Sequence, residues 1–229
     1  MIIMKTQLKL SKRLETIYEM VSFNNVVADI GSDHALLPIA LVLNGKVTRA
    51  YASEVNEGPY EMSVKNVEKY NLSNYIIPVL SDGISELEAD VTCITICGMG
   101  GNLISDILDS SKEKLAHVNE IIIQPNNNEE TARIWLVNNG YDIEDEKIVY
   151  EDDVYYEVIK AVKREQERRY SKEELYFGPI LLANKSDEFI SKWNKYKEYL
   201  NKVLNQINNP ELSNYKMIAG LIRLIENNI

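Results

Sequence analysis

What most limits the fold of this chain is a change of rhythm along it. Up to about residue 160, short β-branched runs alternate with stretches of helical spacing; beyond about residue 171 only helical spacing remains. The predicted strands are VVADI (26–30), TRAYASEV (48–55), NYIIPVL (74–80), VTCITIC (91–97), VNEIIIQ (118–124), YDIEDEKIVYE (141–151) and VYYEVIKAVK (154–163). Helices are expected over 36–44, 57–70, 84–88, 101–115 and 128–139. Strands separated by helices pair in parallel through crossovers, which gives an open, doubly wound sheet. Runs such as ITI and III suit central strands covered on both faces. Only EDD (151–153) separates the last two strands, so those two should pair antiparallel.

Five parallel strands, a helix and an antiparallel hairpin define an α/β fold with the strand order of a Rossmann-like class I methyltransferase sheet. A dinucleotide-binding dehydrogenase more often continues with βαβ units. In the tail, Phe189, Trp193, Tyr196, Leu200, Val203 and Ile207 recur at spacings of 4, 3, 4, 3 and 4. Past Asn208-Asn209-Pro210, Tyr215, Ile218, Ile222, Ile225 and Ile229 recur at 3, 4, 3 and 4. These seams predict two helices folded back as an antiparallel coiled-coil-like pair, with Gly178-Pro179 breaking or starting a helix before them. The expected division is a cofactor-binding unit over 1–163 and a small helical domain over 164–229.

Charge follows the same division. The net charge is −10, but residues 1–162 carry 13 basic and 26 acidic side chains, and residues 163–229 carry 12 basic and 9 acidic ones. A mildly basic tail on an acidic domain is compatible with a phosphate-backbone partner, or with nothing more than a balanced helical surface. No apolar run reaches the roughly 18 residues of a membrane span. The start, MIIMKTQLKL, lacks the length and cleavage site of a secretory leader, so a cytoplasmic protein is expected. Cys93 and Cys97 read as buried free thiols and His117 as a surface residue; no metal site is expected.

The candidate chemistry lies at the predicted strand ends. Asp29-Ile30-Gly31-Ser32-Asp33-His34 joins the first strand to the first helix, where α/β sheets bind ligands. Gly31 lets backbone approach a ligand closely. The GxGxxG fingerprint is missing and Asp33 would repel a pyrophosphate, so a nucleoside with a positive sulfonium and no phosphate fits better. A plainer reading makes Ser32 or Asp33 the N-cap of the next helix. Glu54, with Val55 beside it, ends the second strand and can accept hydrogen bonds from both ribose hydroxyls. Asp82 with Gly83 ends the third strand, where the acid can accept from an adenine amino group. Gly98-Met99-Gly100-Gly101 clears one rim of the pocket. Gln124-Pro125-Asn126 offers amides to a base edge, or a cap to the next helix.

On these residues the chain resembles a known family. LSKRL (10–14), ADIGSDHALLP (28–38), SEVNEGP (53–59), SDG (81–83), GMGG (98–101) and QPN (124–126) look like the bacterial tRNA (adenine-22-N1)-methyltransferases, the TrmK family. The resemblance implies S-adenosylmethionine as donor and N1 of adenine 22 of tRNA as acceptor. It covers most of the chain, with helical character alone matching at the C-terminus.

Neutral N1 has a free lone pair, so orientation is the main task, worth roughly 7–11 kcal/mol. Because the product ring is cationic, a nearby carboxylate can stabilise it. Asp33 is the first candidate, with His34 as its partner or a substrate contact. The target's Watson–Crick edge must be opened or flipped out. Arg13 can meet the cofactor carboxylate; Lys12, Arg164, Arg168, Arg169 and Lys172 can meet RNA backbone or remain solvated charges. A monomer or weak homodimer is expected. Two other classes stay open: a non-catalytic cofactor-binding interaction protein, and a small-molecule methyltransferase with a helical lid.

Overall fold

The computed structural model describes residues 8–164 and 168–229; the apolar start read for a leader lies outside them up to residue 7. The elements follow the predicted alternation. They are α1 (Lys12–Met20), β1 (Val26–Ile30), α2 (Leu36–Leu43), β2 (Arg49–Glu54), α3 (Glu57–Lys69), β3 (Ile76–Leu80), β4 (Cys93–Met99), α4 (Gly101–Ser110), a 3-10 turn (Lys112–His117), β5 (Glu120–Pro125), α5 (Glu129–Asn138), β6 (Tyr141–Glu151) and β7 (Val154–Lys163). Four helices complete the chain: α6 (Lys172–Phe177), α7 (Pro179–Asn184), α8 (Asp187–Leu204) and α9 (Ser213–Asn228).

The seven strands form one sheet in the order β3-β2-β1-β4-β5-β7-β6. Strands β1 to β5 pair in parallel, whereas β7 is antiparallel to both β5 and β6. The chain reverses its direction of travel across the sheet between β1 and β4, which makes a crevice at their carboxyl ends. Alternate residues of each strand serve opposite faces. Ala28, Ile94, Ile121 and Ile123 pack with Ile104 and Leu108 of α4 and with Ala132 and Leu136 of α5. Val27, Ala50, Cys93 and Ile122 pack with Ile17 of α1, Leu37 and Ile39 of α2 and Val67 of α3. Both faces are therefore buried, as the continuous apolar runs require.

Two predicted helices change. Residues 84–88 form turns, closed by Ser85 N–H to the Asp82 carbonyl and Leu87 N–H to the Ile84 carbonyl. Five residues are too few to repay the cost of nucleating a helix. The 101–115 segment breaks at Ser111, whose φ of −142° leaves the helical region. The chain then continues as the 3-10 turn that carries exposed His117.

In the tail, Gly178 ends α6 with φ +89° and Pro179 opens α7. Phe189, Trp193 and Leu200 of α8 pack with Ile218, Ile222 and Ile225 of α9, and Phe177 and Leu181 join the same core. The Phe177 ring lies 4.6 Å from that of Trp193. The seam predicted as a two-helix device is thus covered at one end by α6 and α7, because its aromatic residues are too large for α9 alone to enclose. Helix α8 stops at Leu204, so Ile207 lies beyond it.

Candidate functional site

The carboxyl ends of β1, β2, β3 and β4 share one edge of the sheet, and the strand-end motifs come together there. Gly31 and Ser32 N–H both donate to the Ser53 carbonyl, and Ser81 N–H donates to that of Glu54. The Ser53 hydroxyl reaches the Gly83 carbonyl at 3.4 Å. Gly31 has φ +67°, and a Cβ there would lie 2.4 Å from Met99 Cε. The left-handed φ favours glycine here, and any side chain would have to displace the Met99 methyl.

The next residues are strained. Asp33, His34 and Ala35 have φ of 41°, 71° and 57°, three successive non-glycine residues in left-handed backbone. Such a run persists only where its surroundings hold it. The Asp33 N–H donates to Glu54 Oε1, and Asn66 of α3 donates to the His34 carbonyl at 2.9 Å. The N-cap of α2 is Ala35, without a side-chain bond, so neither Ser32 nor Asp33 caps that helix. The reason is that Ser32 is used elsewhere, donating to Asp29 Oδ2 at 2.7 Å. Thr95 in β4 donates to the other Asp29 oxygen. Burial pushes the Asp29 carboxyl up to about 6, against the pull of these two hydroxyls. Asp29 thus ties the turn to β4 with both oxygens.

Several polar atoms on this edge keep open valences. Among the described residues, Glu54 Oε2 and the Asp82 carboxylate receive no protein donor, and buried His34 Nδ1 has no partner. Burial raises the Glu54 carboxyl, and the Asp33 N–H draws it back. His34 Nε2 lies 3.3 Å from Asp33 Oδ1, whose side chain is 83% exposed. Val55 is 60% exposed on the rim. Asp29, Asp33 and Glu54 are close enough to feel one another's charge, and Asp82 follows the next strand, so this edge is acidic. It suits a nucleoside with a cationic centre: free acceptors face hydroxyl and amino donors, and the glycine at 31 leaves no side chain in the way.

The opposite rim is closed upon itself. Gln124 Oε1 accepts from Arg13 Nη1 at 2.6 Å and from Gly98 N–H at 3.1 Å, while its Nε2 donates to the Pro125 carbonyl and to Asn126 Oδ1. Gln124 is fully buried and every valence of its amide is filled, so it holds the rim together and does not face a base. Asn126 donates from its side chain to the Gly98 carbonyl and from its backbone to that of Met99. It does not cap α5, which begins after Asn128. Arg13 also lies 5.4 Å from the Tyr156 ring. Lys12 is exposed at the start of α1, where the Lys12 and Arg13 N–H groups meet Glu151.

The basic tail residues are not brought here. Arg164 pairs with Asp142 at 3.1 Å and donates to the Val137 carbonyl, and its backbone N–H meets the Gly140 carbonyl. That places it beside the start of β6, at the opposite edge of the sheet. Arg168 lies 4.6 Å over the Tyr170 ring, and the Tyr170 hydroxyl is anchored on Ile143 N–H. Arg169 is exposed between them, and Lys172 opens α6. Adjacency in sequence had grouped these residues by charge; the antiparallel return of β7 carries their start to the far edge.

Thr95, Glu151 and Tyr156 escaped the sequence reading. Thr95 had a usable signal, a hydroxyl inside an otherwise apolar strand. The other two matter only through pairing with α1, which no local pattern reports.

Comparison with known proteins shows which family the chain resembles. The family model described as tRNA (adenine(22)-N(1))-methyltransferase matches residues 27–227. The tRNA (adenine(22)-N(1))-methyltransferase of Bacillus subtilis (strain 168) is 38% identical over 206 residues, covering 88% of this chain and 87% of that one. The Streptococcus pneumoniae protein Sp1610, solved in complex with S-adenosyl-L-methionine, is 38% identical with a TM-score of 0.88, covering 96% and 99% of the two chains. TrmK of M. capricolum, solved with S-adenosyl-homocysteine, is 35% identical with a TM-score of 0.87, covering 95% and 96%.

Proposed function

The chain belongs to the tRNA (adenine(22)-N(1))-methyltransferase family, and on that premise we propose that it methylates N1 of adenine 22 in tRNA with S-adenosylmethionine as donor. We read residues 1–163 as the cofactor-binding unit and 164–229 as a helical unit that helps to receive the tRNA, the whole working in the cytoplasm. The observation that carries the reading is the set of open acceptors at consecutive strand ends, Glu54 Oε2 and Asp82, next to the orphaned His34 Nδ1.

The bound donor supplies an electrophilic methyl group on a positive sulfur. Glu54 accepts from the ribose hydroxyls, a role supported by its free oxygen and its place after β2. Asp82 accepts from the adenine amino group of the donor, with Val55 against the ring. Gly31, Gly98 and Met99 shape the channel between them. Arg13, held by Gln124 and Tyr156, meets the donor's carboxylate. Asp29 and Ser32 act at one remove, by fixing the turn. Asp33, exposed at the mouth, offsets the positive charge that grows on the target ring, and the exposed side of the His34 ring meets the substrate. N1 gives up no proton when it attacks, so no general base is required. Asn126 and Lys12 line the entry for the flipped nucleotide.

The test is incubation with labelled cofactor and tRNA transcripts carrying adenine 22 or another base there. Label is expected only with adenine 22; equal labelling of both transcripts overturns the assignment.

A further inference from the structure

Arg133 sits in the middle of α5, away from the site, with no exposed surface. Its Nε donates to Glu146 at 2.7 Å and its Nη2 to Glu157, on β6 and β7. Its Nη1 faces the Leu175 and Tyr176 carbonyls at the end of α6, and Glu146 Oε2 accepts from Ile180 N–H at the start of α7. The chain crosses this pair at Gly178, where a Cβ would lie 2.7 Å from Arg133 and from both Glu146 oxygens. Lys192 of α8 completes the cluster, donating to Glu157 at 2.6 Å and to Glu129 in the first turn of α5 at 2.9 Å.

Glu129 comes directly after the loop that closes the site's rim. In that loop the Asn127 carbonyl accepts from Gly101 N–H, and the Asn128 carbonyl would lie 2.1 Å from a Cβ on Gly101. One turn along α8, Lys195 donates to the Asp153 carbonyl at the tip of the β6–β7 hairpin. Glu151 of the same tip holds the start of α1, from which Arg13 reaches Gln124. Helix α8 therefore grips two supports of the site without entering it. Apolar residues would stabilise such a junction at least as well; an ion cluster with directional bonds fixes one register.

The geometry points to Lys192 as a positioning residue that locks α8, and with it α6–α9, at one attitude to the rim loop, so that a tRNA lying across the helices and the site presents its base in register. This rests on the tRNA methyltransferase reading. The full chain is compared as wild type, Lys192→Met, Lys192→Arg and Glu129→Gln, by steady-state methylation of a tRNA transcript and by calorimetric titration with S-adenosylmethionine. In Lys192→Met the KM for tRNA is expected to rise about 10-fold or more, with kcat changed less than about 3-fold and cofactor affinity within about 2-fold. Lys192→Arg restores most of the loss, and Glu129→Gln gives a smaller rise of the same kind. An unchanged KM, a cofactor affinity that falls in step with it, or an arginine no better than methionine overturns the proposal. If Lys192→Met does not fold, Glu129→Gln decides, because Glu157 still pairs Lys192 there. A wild type that labels no tRNA sinks the underlying reading instead; an active wild type with Lys192→Met and Glu129→Gln unchanged sinks only this one.

Discussion

Two of the regions that bury carboxylates treat them in opposite ways. At the carboxyl edge of the sheet Glu54 keeps one oxygen free, His34 keeps a buried nitrogen unpartnered, and three consecutive residues sit in left-handed backbone. At the junction with the C-terminal helices every oxygen of Glu146 and Glu157 has a donor. Burial pushes Glu157 up, but Lys192 and Arg133 outweigh it and hold that carboxyl below its usual range. An unfilled buried valence costs free energy that a ligand or a water can recover, whereas a filled one fixes neighbours in place. The first region is built to bind and the second to hold.

The comparison breaks first at Arg133. Replacing Arg133 by Met leaves Glu146 buried with no countercharge and Glu157 with Lys192 alone, and the chain should lose about 3–5 kcal/mol in chemical denaturation. A loss below about 1 kcal/mol would mean that the junction is not closed in solution. The site has a smaller effect of its own on stability. The folded state raises Asp29 from 3.8 to about 6, so it favours the protonated acid, and that contribution fades as pH rises through this window. Asp29→Asn lacks the titration. Between pH 4 and 7 it should gain on the wild type by up to about 3 kcal/mol, followed by denaturation at each pH. A gap that moves the other way would show that Ser32 and Thr95 stabilise the anion more than burial opposes it.

Binding sharpens the contrast. Glu54→Ala removes two expected charge-assisted bonds to ribose, and cofactor affinity measured by calorimetry should fall about 100-fold or more while unfolding stays cooperative. Unchanged affinity would take Glu54 out of the ribose role. Least affected should be the far edge: the double variant Arg168→Ala, Arg169→Ala should leave the KM for tRNA within about 2-fold, since Arg168 lies over Tyr170 and pairs with Glu174, Arg169 is exposed, and neither bonds to a residue of the site. A much larger rise would extend the tRNA footprint round the sheet.

Much of the fold was legible in advance because it is local. Period-2 and period-3.6 patterns gave the strands and most helices. The acids at strand ends gave the candidate site, since parallel strands deliver their carboxyl ends to one edge. Gln124 and Asn126 were readable as amides near that edge, but not as amides already spent on Arg13 and Gly98. Nothing local in TARIWLV marks Arg133 as buried; β6 and β7 bring Glu146 and Glu157 to it.

Residue order alone thus sets the alternation, the doubly wound sheet, the antiparallel close and the identity of the acids that line the crevice, because each depends on spacing within one element or its neighbours. Which polar groups remain free is settled only in the folded chain. That depends on pairings between residues as far apart as Arg13 and Gln124, or Glu129 and Lys192, and a hydrogen-bond valence is open or filled only once its partners have been brought within reach.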